Sequence, residues 1–288
     1  FSTTKKELKQ QDATTLKNWK LYSTKCQFYH RMNTLPTNEP AGVLVKTTGV
    51  DFPGRIAGSF FLRGCNLRCP YCYNTDLVIK TTAQNQNTED SQSKLNTIQE
   101  LFDHLEKRQG ILSGLVISGG EPLLNPYTPL IIKKAKELDY KVKLDTNGTL
   151  PQELSYFVEN KELRPDFIAM DIKSSPAKYA SVLCNKVSKF YNNTEYFEQV
   201  LSQSIKIVSN YAEDCREWRT VLVPPLVSKE EIEIIGKMLP KDASWQFAQF
   251  QPGTCIDKSY NEISPYTDSE INDLVDFAKT FIPKASLR

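Results

Sequence analysis

Histidine is scarce in this 288-residue chain, which carries only His30 and His104. No run of about 18 apolar residues occurs, so no membrane span is expected. Neither sign of charge dominates. Lys and Arg number 36 against 34 Asp and Glu, a net +2, and no basic footprint for nucleic acid is left. A secreted disulfide framework is also missing. The seven cysteines (26, 65, 69, 72, 184, 215 and 255) are odd in number, and only three cluster, which suits a reducing cytoplasm. What is present is 40% hydrophobic and 24% charged, enough for one large globular domain or two small ones.

Residues 1–38 hold seven Lys or Arg against Glu7 and Asp12. They read as a solvated extension or docking arm. An organelle-targeting remnant is the alternative, and with it an organelle as the location. The chain starts at Phe1, so a native start upstream is expected. The expected division is an N-terminal extension over 1–41 and one domain over 42–288.

Apolar, β-branched stretches at 42–47 and 56–62 read as strands, and the polar run 80–96 as a flexible surface loop. A helix follows from Ile98, stopped by Gly110. Strands are then expected at 114–118, 140–145, 166–172, 204–208, 218–223 and 244–250. Helices alternate with them at 126–138, 151–160, 176–184, 195–203, 228–239 and 268–281. Six or seven βα units imply an α/β protein whose parallel sheet is closed, or partly closed, into a barrel.

Cys65, Cys69 and Cys72 form C-x3-C-x2-C in Arg63-Gly-Cys-Asn-Leu-Arg-Cys-Pro-Tyr-Cys72. Three thiolates on one loop can hold three irons of a cubane cluster and leave the fourth open to a small molecule. Zinc with an open position is the alternative, although no His or acidic ligand lies within the motif. Other unusual residues also follow expected strands: Ser118-Gly-Gly-Glu-Pro122, Asp145-Thr-Asn-Gly148, Met170-Asp-Ile-Lys173, Pro224-Pro225 and Gln251-Pro-Gly253. In a barrel of βα units the C-terminal strand ends form one rim, so these segments argue for one shared site. Singly, each has an ordinary reading. Gly119-Gly120 makes a tight turn, Asp145 and Asp171 cap helices, Lys173 is a surface lysine and Arg219 a salt-bridged strand residue. Cys26, Cys184, Cys215 and Cys255 read as packing residues.

The cysteine loop together with Gly-Gly-Glu-Pro, and Tyr71 before the third cysteine, resembles the radical S-adenosylmethionine (SAM) superfamily. Within it, Gly49-Val-Asp-Phe-Pro-Gly54, Phe61-Leu-Arg-Gly-Cys65, Asp-Thr-Asn-Gly, Asp-Ile-Lys and Gln249-Phe-Gln-Pro-Gly253 resemble glycyl-radical-enzyme activating enzymes. The activating proteins of anaerobic ribonucleotide reductase are the most similar group. The resemblance spans residues 42–282 and implies a partial (β/α)6-type TIM barrel. It implies a [4Fe–4S] cluster and SAM, reductively cleaved to a 5′-deoxyadenosyl radical. That radical would generate a glycyl radical on a partner of the anaerobic ribonucleotide reductase or pyruvate formate-lyase type. Cys65, Cys69 and Cys72 would ligate iron. Gly119, Gly120 and Glu121 would meet the SAM amino group, and Asp145 and Lys173 its ribose or carboxylate, with Tyr71 beside the cofactors. Asp145, Thr146, Asp171 and the Ala169 carbonyl would hold a monovalent cation. The implied partners are a large glycyl radical enzyme as protein substrate and a low-potential electron donor such as flavodoxin or ferredoxin.

The chain departs from that pattern in lacking a late histidine, and it has no second cysteine cluster or C-terminal cysteine-rich segment, which argues against activases and peptide-modifying enzymes that carry auxiliary clusters. Two other readings stay open: a radical SAM enzyme acting on a small molecule or peptide, and a structural metal- or cluster-binding protein.

Overall fold

The structure, a computed structural model, describes residues 35–78 and 95–288. Cys26, His30, residues 1–34 of the expected extension and nearly all of the expected 80–96 loop lie outside the described residues. The chain divides into two compact units, Phe1–Thr37 and Asn38–Arg288, and the elements below belong to the second.

Its strands are β1 (Pro40–Thr48), β2 (Ala57–Leu62), β3 (Asn96–Thr97), β4 (Gly114–Gly119), β5 (Lys141–Thr146), β6 (Phe167–Asp171), β7 (Arg216–Leu222), β8 (Trp245–Gln249) and β9 (Ser286–Leu287). They form one sheet in the order β3-β1-β2-β4-β5-β6-β7-β8-β9. β1 runs antiparallel to both its neighbours, and every pairing from β2 to β9 is parallel. Each parallel step crosses over through one long helix, Ile98–Lys107, Thr128–Glu137, Pro151–Glu159, Thr194–Val208, Lys229–Met238 and Asp268–Lys279 in turn, with short helical turns such as Thr75–Val78 and Pro176–Lys178 beside them. Three of these start at capping boxes, Thr97 with Glu100, Ser228 with Glu231 and Thr267 with Glu270, which satisfy orphan N–H groups from both directions.

Alternation along the strands sorts two cores. Leu115, Ile117, Val142, Leu144, Ile168 and Trp218 join the helices' Leu101, Ile131, Leu154 and Leu201 in the outer core. Phe52, Ala57, Val116, Phe167 and Ala169 fill the barrel interior, with the Phe52 and Phe167 rings edge-on at 5.8 Å. The barrel is partial: β3 and β9 end the sheet without meeting. Contacts other than strand pairing span the gap. Ile256 N donates to Cys72 O and Asp257 N to Pro70 O at the rim, and Arg288 bonds Val50 O on the β1–β2 connection.

One expectation is corrected. Residues 204–208 are not a strand; they are the last turns of helix Thr194–Val208. The alternation of Ile205, Lys206 and Ile207 suggests a strand. However, Phe197, Leu201, Ile205 and Val208 continue one apolar stripe at helical spacing, and all four are buried.

Within that stripe Ser204 is fully buried and its hydroxyl has no hydrogen-bond partner. Ser204→Ala removes an unsatisfied polar group and improves helix propensity, so urea unfolding is expected to show a gain of about 1 kcal/mol. A loss of stability would contradict this account of the helix.

Candidate active site

The loops after β2, β4, β5 and β6 converge on one cavity of about 510 Å³ at the C-terminal rim of the strands. Its walls include Cys65, Cys69, Tyr71 and Cys72 from the first loop and Gly119 and Gly120 from the second. Asp145 and Thr146 come from the third, Asp171 and Lys173 from the fourth, and Arg219 from β7. Ala169 does not line it. That residue sits within the sheet, in register with Asp145 and Glu217.

The three cysteines are free thiols. A turn closes their loop, with Cys72 N donating to Cys69 O at 3.0 Å, and Arg68 Nη1 ties it by donating to the Cys65 and Leu67 carbonyls. Cys65 Sγ accepts from Leu67 N at 3.4 Å and from Asn147 Nδ2 at 3.9 Å, bonds that favour a thiolate. Burial pushes the Cys65 thiol up to about 11, aided by Glu121, and Cys69 up to about 12. Metal ligation must therefore displace protons here. Tyr71 packs edge-on against Phe250 with ring centroids at 6.4 Å, and its buried hydroxyl has no partner.

Gly119 and Gly120 are glycines because of how closely the loops approach. A Cβ on Gly120 would stand 2.0 Å from Gly64 O, and Gly119 has φ of 115° with Leu62 N 2.3 Å from its would-be Cβ. Glu121 does not face the cavity. Its carboxylate is fully buried, accepting from Asn147 N at 2.7 Å, Leu123 N at 3.1 Å and Thr146 Oγ1 at 2.9 Å. Burial pushes its carboxyl up to about 7, against the pull of those three bonds.

The rest of the rim is charged. Arg219 Nε bonds Asp171 Oδ1 at 2.7 Å and its Nη2 stands 3.1 Å from Asp145 Oδ2. Lys173 Nζ reaches Asp171 Oδ2 at 3.1 Å. Burial pushes both carboxyls up, but Arg219 with Lys143 overcomes it at Asp145, and Arg219 with Lys173 at Asp171; both end below the usual range. Burial opposes the charge on Lys173, and Asp171 outweighs it, so the ammonium persists at neutral pH.

The structure thus brings together the three cysteines, Tyr71, Gly119, Gly120, Asp145, Asp171 and Lys173, and turns the Glu121 side chain away. Three free soft thiols on one wall fit iron–sulfur ligation, and bare backbone beside them with Lys173 and Arg219 fits an amino-acid ligand. The expected cation set does not come together as an open oxygen cage. Thr146 Oγ1 points to Glu121, and the Asp145 and Asp171 oxygens already face cationic side chains. Sequence reading missed Lys143 and Glu217, which lie two residues before Asp145 and Arg219. A period of two along β5 and β7 would have placed both on the inner face.

The model of the Radical SAM superfamily matches residues 59–237. A Methanocaldococcus jannaschii chain provisionally named glycyl-radical enzyme activating enzyme is 28% identical over 251 residues, 85% of this chain and 94% of its own length. The 7-carboxy-7-deazaguanine synthase of Aquifex aeolicus is 30% identical over 176 residues, 60% of this chain and 70% of that one. The pyruvate formate-lyase-activating enzyme of Clostridium pasteurianum is 29% identical over 196 residues, 66% of this chain and 71% of that one.

Glu121→Ala leaves two buried N–H groups and a hydroxyl without their acceptor. A loss of about 3 kcal/mol in chemical unfolding is expected. A loss below about 1 kcal/mol would show that the carboxylate does not hold these loops.

Proposed function

The chain belongs to the radical SAM superfamily, and from that premise we propose that it generates a glycyl radical on a partner enzyme. The family uses a [4Fe–4S] cluster and SAM. When bound, they supply a one-electron reductive cleavage to methionine and a 5′-deoxyadenosyl radical, which takes a hydrogen atom from the substrate.

Cys65, Cys69 and Cys72 hold three of the irons in this reading. The backbone of Gly119 and Gly120 meets the SAM amino group; Glu121 contributes through its backbone, since its carboxylate is engaged elsewhere. Lys173 and Arg219, both cationic, suit a carboxylate, and Asp145 suits the ribose hydroxyls. The catalytic unit in this reading is Asn38–Arg288, so the boundary expected at 41/42 moves upstream to take in the whole of β1. The electron comes from a low-potential donor of flavodoxin or ferredoxin type.

The observation that carries the choice of substrate is the nearly full-length likeness to the M. jannaschii chain. Glycine suits such a reaction because it has no side chain to block approach of its Cα–H. A second reading, action on a small molecule, is favoured by the likeness to the A. aeolicus synthase. Product analysis with purified enzyme separates the two.

Co-expression with a glycyl radical enzyme of the anaerobic ribonucleotide reductase or pyruvate formate-lyase type, followed by reduction and SAM, is expected to give a glycine-centred doublet by electron paramagnetic resonance. Cys69→Ala is expected to lose both bound iron and the doublet, since two thiolates hold a cluster poorly. Formation of 5′-deoxyadenosine with no radical on either partner would sink the proposal.

A further inference from the structure

Lys143 is an ammonium with no access to water. Its side chain is 0% exposed, within a strand whose neighbours Val142 and Leu144 belong to the core. Its Nζ stands 3.2 Å from Asp145 Oδ1 and 3.2 Å from Glu217 Oε1, ion-pair distances without hydrogen-bond alignment. It donates a hydrogen bond to Asp51 O at 2.7 Å. A lone buried ammonium is costly to desolvate, so two carboxylates and a carbonyl around it form a built arrangement. Neither Lys143 nor Glu217 lines the cavity. Both sit behind Asp145 and Arg219, which do.

The charges close among themselves. Asp145, Asp171 and Glu217 are three carboxylates, and Lys143, Arg219 and Lys173 are three cations. Asp145 is held by Lys143 at one oxygen and Arg219 at the other; Asp171 is held by Arg219 at one and Lys173 at the other. Glu217 Oε1 also approaches Arg219 Nη1 at 3.9 Å. An added alkali cation would need hard oxygen ligands. Here it would have to evict an ammonium or a guanidinium from an already neutral set.

We propose that Lys143 and Glu217 are the resident counter-ions of the rim: they fix Asp145 and Arg219, and let the site bind SAM with no monovalent cation. They are positioning residues, acting through two side chains that face the ligand. The inference rests on the reading that this rim binds SAM.

The test is SAM affinity, measured by equilibrium dialysis on the cluster-loaded enzyme without reductant or partner. Chlorides of potassium, sodium and choline are compared at equal ionic strength. The dissociation constant is expected to agree within about twofold across the three salts. Tightening by more than about fivefold in potassium or sodium would overturn the proposal. Lys143→Met is expected to weaken SAM about tenfold in choline and to recover partly in potassium, with the cleavage rate at saturating SAM little changed. Adding Glu217→Gln restores charge balance, so the double variant is expected to bind within about threefold of the unmodified enzyme in every salt. A Lys143→Met protein that binds SAM normally in choline would contradict it. Where that variant does not fold, the cation comparison on the unmodified enzyme decides alone. Absence of a glycyl radical leaves this affinity test standing, whereas absence of SAM binding in every salt overturns both readings.

Discussion

The carboxylate of Glu121 is the fastening on which the rim depends. It accepts from Asn147 N and Thr146 Oγ1 on the loop after β5 and from Leu123 N on its own loop, while Glu121 N donates to Gly64 O on the cysteine loop. One buried residue, through its carboxylate and its backbone N–H, therefore ties together three loops distant in sequence. Gly119 and Gly120 lie in the narrowest part of that junction, where a Cβ would meet the backbone of Leu62 or Gly64. The thiols, the bare backbone and the rim carboxylates share a cavity because this junction leaves them no other arrangement.

Below the rim, charge sits beside apolar packing in the barrel interior. The interior holds Phe52, Ala57 and Phe167 together with the linked ion pairs of Lys143, Glu217, Asp145, Arg219 and Asp171, Lys143 standing in register with Phe167. Such a linked set is stable only when each member has its partner, and removal of one exposes another's desolvation cost. The result is a stiff polar floor that holds Arg219 and Lys173 cationic at the cavity wall. A carboxylate-bearing ligand meets fixed positive groups there, not flexible surface lysines.

Much of this was legible before the fold was known. The helix from Ile98 is announced by Leu101, Phe102 and Leu105 because apolar residues at helical spacing are a local signal. The rim motifs announce a shared site because parallel βα units put every strand's C-terminal end on the same side. Tertiary contacts hid the rest. Residues 204–208 carry a strand-like alternation that burial against β6 and its neighbours resolves as helix. Lys143 and Glu217 look like solvated strand residues until the inner face is known, and Lys141, two positions earlier, is indeed half exposed. Glu121 belongs to a recognised motif, yet only the fold reveals that its side chain serves the loops and leaves the cavity to its neighbours' backbone.

The most direct measurement is the metal content and spectroscopy of the protein reconstituted anaerobically with iron and sulfide. About four irons per chain are expected, as for a cubane cluster, with the resonance of the reduced cluster shifting when SAM is added. Zinc or no metal at Cys65, Cys69 and Cys72, or a cluster spectrum indifferent to SAM, would contradict the claim that these thiols leave one iron open at the barrel mouth.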